Sequence, residues 1–307
     1  MRVIDLFAGC GGLSLGLQRA GLDVVAAFDN WTAAANVYRE NFDHPMFELD
    51  LSGEIDFEVF RQHRPDCIAG GPPCQDFSSA GQRNENGGRA DLTLSYAEII
   101  SEIRPEWFIM ENVERITKSG ILVQALEIFR RAGYGLTATV LDASLCGVPQ
   151  SRKRYILIGR LGEPDDFLRD IIEEQQADIP MTVRDYLGDQ LGTDFYYRHP
   201  RSYARRGIFS IDEPSPTIRG VNRPIPPNYQ FHPGDETHDR GLVRALTTEE
   251  RALIQTFPPD FVFNGTKSAV EQMLGNAVPV ELGHFVGNCI QLFRTRVLNQ
   301  QVAEQEA

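Results

Sequence analysis

A chain of 307 residues that is 42% hydrophobic and 24% charged can bury a large core, which excludes a disordered polymer or a disulfide-stapled miniprotein. No apolar run approaches the roughly 18 residues of a membrane span, and Met1–Phe7 enters a strand directly, so neither an anchor nor a signal peptide is expected. A net charge of −13, taken over the whole chain, argues against a polyanionic partner, and five scattered cysteines (Cys10, Cys67, Cys74, Cys146, Cys289) without a C-x-x-C pair argue against a disulfide framework or a zinc site.

The first half alternates two periodicities. Strands are predicted at Val3–Phe7, Val24–Asp29, Met46–Asp50, Asp66–Gly70, Trp107–Glu111, Leu136–Leu141 and Tyr155–Gly159. Helices are predicted between them at Leu13–Ala20, Thr32–Glu40, Leu94–Ile103 and Ile121–Ala132, with Gly21, Gly133 and Gly135 placed to stop them. Such alternation implies an α/β fold, a doubly wound and mostly parallel sheet with helices on both faces. After about Gly162 the pattern fades. Asp194–Asp239 carries prolines, arginines and aromatics with little helical period, which reads as a smaller, loop-rich, β-containing domain. Helical patterning returns at Thr248–Thr256 behind a capping-box sequence and again at Val280–Val297, with Asn299–Ala307 expected to fray. The division expected is 1–165 plus 272–307 for the large domain and 166–271 for the small one.

Several stretches fall at predicted strand ends. After the first strand, Phe7-Ala8-Gly9-Cys10-Gly11-Gly12 is a glycine-rich turn into a helix, with Asp29 ending the second strand 20 residues after Gly9 and Asp50 ending the third. No basic residue surrounds the turn to receive phosphate. A nucleoside ligand without phosphates fits better, S-adenosylmethionine in particular. After the fourth strand, Gly70-Gly71-Pro72-Pro73-Cys74-Gln75-Asp76-Phe77-Ser78 holds one thiol on a stiff loop, which suits a nucleophile. Ser79–Thr93, with Gln82 and Arg83, reads as a loop that closes over a ligand. Glu111-Asn112-Val113 follows the fifth strand, Gln150-Ser151-Arg152-Lys153-Arg154 precedes the seventh, and Gly275-Asn276-Ala277-Val278-Pro279 is expected to open the last helix. Thiol, carboxyl and guanidinium pair therefore converge on one sheet edge.

These blocks, in this order, resemble the C5-cytosine DNA methyltransferases of the bacterial restriction–modification type. The resemblance covers all but about Gly162–Val243. It implies a Rossmann-like fold that binds S-adenosylmethionine, yields S-adenosylhomocysteine, needs no metal and carries a target-recognition domain. It implies that Cys74 adds to C6 of a flipped-out cytosine while Glu111 contacts N3 and the exocyclic amine. Arg154, with Arg152 nearby, would bind O2. Cofactor contacts implied by similarity are Phe7, Gly9, Gly12, Asp29, Asn30, Asp50, Leu51, Pro73, Leu94, Asn276 and Val278. Asp29 stands where many members have Glu, and Val280 where a second proline is common.

Charge read locally removes the objection to DNA. Tyr196–Arg223 holds six arginines (Arg198, Arg201, Arg205, Arg206, Arg219, Arg223) against Asp212 and Glu213, a patch suited to phosphates and base edges of double-stranded DNA. Thr217 lies in Glu213–Gly220, which resembles the family's Pro-x-Thr element, and Gln75, Ser78, Gln82 and Arg83 join it as expected DNA contacts. A cytoplasmic monomer is expected, in a system where a restriction endonuclease acts on the same site without direct binding. Two alternatives stay open, a tRNA cytosine-5 methyltransferase and a catalytically silent DNA-binding relative.

Overall fold

The computed structural model describes residues 1–73, 92–202 and 204–305. Its centre is a seven-stranded sheet. Five parallel strands, β1 (Arg2–Leu6), β2 (Asp23–Asp29), β3 (Met46–Glu48), β4 (Cys67–Gly70) and β5 (Trp107–Val113), are extended by β6 (Tyr134–Asp142). A two-residue strand, β7 (Gln150–Ser151), precedes β8 (Lys153–Leu161), which inserts antiparallel between β5 and β6. The order β3-β2-β1-β4-β5-β8-β6 reverses direction beside β1, and in open α/β sheets ligands bind outside the strand ends at such a switch point.

Strand alternation builds both faces of the core. Val3, Cys67, Ala69, Trp107 and Ile109 point to one side, where they meet Leu13 and Leu17 of α1 (Gly12–Arg19). Ile4, Leu6, Ile68, Phe108 and Met110 point to the other. There Phe60, Tyr96, Ile100 and Phe129 cover them, from the helices α3 (Glu58–Arg61), α4 (Leu92–Ile103) and α5 (Gly120–Arg131), which follow α2 (Thr32–Asn41). On the first face α6 (Arg169–Gln175) contributes Ile171 and Ile172, so the chain just beyond residue 165 still packs on the sheet.

After α7 (Val183–Leu187), a three-stranded sheet forms in the order β10-β9-β12 from β9 (Phe195–Tyr197), β10 (Ile208–Ser210) and β12 (Val243–Ala245). Between them β11 (Ser215–Pro216) pairs in parallel with β7, joining the arginine-rich region to the main sheet edge. Helix α8 (Thr248–Ile254) begins in a capping box between Thr247 and Glu250.

Two helical expectations need correction. Gly275 and Asn276 do not open the last helix but end α9 (Lys267–Asn276), which is capped by Thr266 and was not anticipated. The break at Ala277–Pro279 follows from proline, which removes an N–H and biases Val278 towards extended backbone. The last helix, α10 (Val280–Gln305), continues through the stretch expected to fray. Its tail is polar, but Gln, Glu and Ala are good helix formers. Among the described residues no helix is long and apolar enough to cross a membrane.

Candidate active site

A cavity of about 760 Å³ opens at the carboxyl ends of β1, β2, β4 and β5. Its first wall is the turn after β1. Phe7, with φ of 58°, and Gly9, with φ of 56°, swing the chain under the cavity. Gly9 N donates to Asp29 Oδ2 at 2.8 Å and Trp31 N donates to Oδ1 at 2.8 Å, so Asp29 ties the turn to the end of β2. Burial raises the Asp29 carboxyl above its ordinary range, and the two amides pull it back. Asn30, Asp50 and Leu51 complete this side; β3 itself stops at Glu48, so Asp50 sits on the following loop rather than on the strand.

Two expected cofactor contacts lie elsewhere. Gly12 does not line the cavity. A Cβ on it would stand 2.1 Å from Val278 O, so the glycine admits the Ala277–Pro279 backbone, which walls the cavity through Val278 together with the preceding Asn276. Leu94 does not line the cavity either; Leu92 does, two positions earlier on α4 and so roughly on the opposite side of the helix.

The opposite wall carries the reactive groups. Glu111 lies near the end of the buried stretch of β5, which runs to Asn112, and Arg154 lies on β8 opposite Val113 in antiparallel register. The diagonal places both side chains on one face. Arg154 Nε pairs with Glu111 Oε1 at 2.8 Å, with about a tenth of each side chain exposed. Asn112 Nδ2 donates to Pro72 O at 2.8 Å, which fixes the Gly71–Pro73 turn beside Glu111. Pro73 lines the cavity. Cys74, which follows it, lies outside the described residues, as do Gln75, Ser78, Gln82 and Arg83. The four described cysteines are free and buried, and desolvation pushes Cys10, Cys146 and Cys289 up to about 12 and Cys67 higher still. None of the four is poised as a thiolate.

Arg152, implied by the resemblance as a neighbour of Arg154 at the base, reaches the cavity lining, but its guanidinium is taken up by backbone carbonyls. It is buried, donating from Nη1 to Ile218 O at 3.1 Å and from Nη2 to Gly275 O and Ala277 O at 3.1 and 3.0 Å. Beside it Gln150 Nε2 donates to Gln255 Oε1 at 2.7 Å, and Ile218 N donates to Gln150 Oε1 at 2.9 Å. These groups bind three chain segments at the cavity floor, a need for interior hydrogen-bond partners that sequence does not show.

The cavity continues through Arg154 and Arg201 into a second space of about 1000 Å³ under the arginine-rich region. Arg201 and Arg205 are exposed on its rim, joined by Arg115 and Lys153, which only their charge could have suggested. Arg223 is also exposed, on a neighbouring cavity. Three other members of the patch are engaged internally. Arg206 pairs with Glu213 and, at 2.6 Å, with Glu236, and lies 4.4 Å over the Phe209 ring. Arg198 donates to Thr217 O at 2.8 Å, and Arg219 to His199 O. The Thr217 hydroxyl donates to Ser151 O at 2.9 Å.

The arrangement sets a carboxylate–guanidinium pair next to a glycine–aspartate cleft and a basic rim. The model of the C-5 cytosine-specific DNA methylase family matches residues 1–292. The chain belongs to this family. It is 57% identical over 292 residues to the type II methyltransferase M.HindV of Haemophilus influenzae, covering 94% of this chain and 96% of that protein. It is 56% identical over 306 residues to M.HgiDI of Herpetosiphon aurantiacus, covering 99% and 98%. Among solved structures, the S. pombe Dnmt2 methyltransferase superposes with a TM-score of 0.70 at 18% identity, covering 97% of this chain and 99% of that one. A putative DNA modification methyltransferase from an E. coli prophage gives 0.68 at 23%, covering 96% and 99%. Both structural likenesses establish the shared fold. The methylase is thus a DNA (cytosine-5)-methyltransferase, an enzyme that uses S-adenosylmethionine.

Proposed function

We propose that the enzyme is the modification component of a type II system, as its relatives at 56–57% identity are named, and that it methylates a cytosine turned out of duplex DNA into the Glu111–Arg154 cavity. The observation that carries this reading is the Arg154–Glu111 pair at 2.8 Å, beside a Pro72–Pro73 turn held by Asn112. A base inside a duplex hides C6, so extrusion, at a cost of a few kcal/mol, must come first. Cys74 then adds as thiolate to C6, forming the S–C6 bond and pushing electron density towards C5. Glu111 shares a proton with N3 and accepts from the exocyclic amine, offsetting charge in the ring. Arg154 has N–H groups beyond its two protein contacts and orients the base through O2. S-adenosylmethionine, when bound, supplies an electrophilic methyl group for C5. Loss of the C5 proton restores the C5–C6 double bond and expels Cys74.

The cofactor side fits a nucleoside without phosphates. The cations lining the cavity, Arg115, Arg152, Arg154 and Arg201, come from the β5–β8 half or from the small domain and not from the glycine turn. Asp5 Oδ1 is buried with no partner among the described residues, a polar atom at the cavity that a bound ligand would satisfy. Phe7, Gly9, Asp29, Asn30, Asp50, Leu51, Pro73, Asn276 and Val278 would hold it. For the small domain, residues 166–271, we assign DNA reading to Arg201, Arg205, Arg219 and Arg223, with Gln75, Ser78, Gln82 and Arg83 contributing from the loop after Cys74. A restriction endonuclease sharing the site is the functional counterpart. The test is transfer of labelled methyl to unmethylated DNA and, in parallel, to bulk tRNA. Label in DNA that disappears in Cys74→Ala, with DNA binding kept, is expected. Turnover by Cys74→Ala would remove the nucleophile, and label in tRNA alone would overturn the substrate.

A further inference from the structure

Between β11 and β12 the chain makes a turn at Arg219–Arg223 whose tip, Val221, is 51% exposed. On one side Arg219 and Gly220 line the basic space beside Arg154. On the other, Asn222 and Arg223 line a separate cavity of about 670 Å³ together with Lys267. The turn is anchored from behind by a buried ion pair. Arg251 of α8 and Glu271 of α9 meet through Nη1 and Oε2, with 6% and 4% of their side chains exposed. Arg251 Nη2 donates to Arg219 O. Glu271 Oε1 accepts from Asn222 Nδ2 at 3.2 Å and from Thr248 Oγ1 at 2.9 Å, and Asn222 Nδ2 also donates to Leu246 O at 2.8 Å. Both ends of the exposed tip are thereby pinned to one charge pair. A third restraint is steric. A Cβ on Gly275 would stand 2.2 Å from Gly220 N, so the turn lies directly on the α9 backbone that leads to Asn276 and the cofactor side.

A buried ion pair is a weak source of stability, because desolvation offsets its attraction and apolar residues of similar volume often do as well. Its worth is directional. Burial pushes Arg251 down to about 10, with the Arg219 guanidinium adding to that, so Arg251 remains a cation at neutral pH and keeps its donors aimed. We propose that Arg251 and Glu271 are positioning residues for DNA-site discrimination, holding the Arg219–Arg223 turn in the one register that reads its target. The inference rests on the small domain being the DNA reader.

The deciding experiment compares the wild type with Arg251→Met/Glu271→Leu on unmethylated genomic DNA, with bisulfite sequencing of the product. Apolar replacement of both partners should keep the melting temperature and S-adenosylmethionine affinity near wild type. Methylation at sites differing from the consensus by one base pair should rise about tenfold or more relative to the consensus, the scale of one mismatch penalty. Should the double variant not fold, Asn222→Ala carries the same expectation with the ion pair intact. An unchanged site preference in a folded variant, or equal loss of activity on all sites, would make the pair structural only and overturn the inference. Wild-type methylation without any consensus, or DNA binding untouched by Arg201→Ala/Arg205→Ala, would instead overturn the reader assignment beneath it.

Discussion

Phe7 follows β1 with φ of 58°, a left-handed backbone that costs a bulky residue about 1–3 kcal/mol. Glycine there would remove the strain, so the ring must be needed where the turn puts it, against the cavity and the edge of the core. Phe7→Gly is therefore expected to leave the melting temperature within a few degrees, relief of strain offsetting lost packing. It should raise the Kd for S-adenosylmethionine about tenfold or more, since stacked aromatic contacts contribute on the order of 1–3 kcal/mol per base. Calorimetry and thermal melting on one preparation check this; a large fall in melting temperature with unchanged Kd would make the ring a packing residue alone. Arg152 and Arg154 give the complementary lesson. They are one residue type two positions apart, yet one is bound by three backbone carbonyls and the other pairs with Glu111 in the cavity. Spacing brought both to the same edge, but only the partners separate their roles.

Three elements are cross-tied beneath the cofactor side by one chain of hydrogen bonds. Ser14 Oγ of α1 donates to Asp5 Oδ2 of β1 at 2.6 Å, and Tyr38 Oη of α2 donates to Ser14 Oγ at 2.7 Å. Tyr38 has a single proton, so in its 2.6 Å contact with His44 Nε2 the ring nitrogen must be the donor. Burial pushes the Asp5 carboxyl from 3.8 up to about 7, opposed by the Ser14 bond and reinforced by the charge of Asp29. The native state therefore holds a proton that the unfolded chain releases near pH 4, and stability from this group falls as pH rises from about 4 to about 7. Asp5→Asn keeps an acceptor for Ser14 and removes the titration. Its unfolding free energy should match wild type near pH 4 and exceed it increasingly up to pH 7, by at most a few kcal/mol; an advantage that does not grow with pH would contradict the buried proton. The sequence carried these elements well, because β1, α1, β2 and α2 announce themselves by period, and Gly21, with φ of 79°, marks the end of α1. It could not carry α9, whose apolar positions are interrupted by Glu271 and Gln272; Glu271 reads as solvent-facing until Arg251 is seen against it.

Across the whole molecule, the succession of strand-like and helical stretches made the catalytic sheet legible, because its central strands β1, β4 and β5 are buried on both faces and read as short apolar runs. The small domain was not, since its strands are three residues or fewer and depend on pairing with distant partners such as β7. Local charge found the basic side of the small domain but could not show which arginines are already paired. The patch contains six arginines, yet Arg206 is neutralised by Glu213 and Glu236, while Arg201 and Arg205 stand exposed on the rim of the basic space. A phosphate contact releases counterions and adds about 0.9 to the slope of log binding against log salt. Arg201→Ala/Arg205→Ala should therefore flatten that slope by nearly two and weaken cognate and non-cognate duplexes alike. Arg206→Ala should leave the slope unchanged and instead lower the melting temperature, because Glu213 and Glu236 would then face each other without their shared cation. Fluorescence anisotropy across a salt series separates the two cases. Equal slopes for all three proteins would move the phosphate contacts off this rim, and a flattened slope in Arg206→Ala would mean that its ion pairs open when DNA arrives.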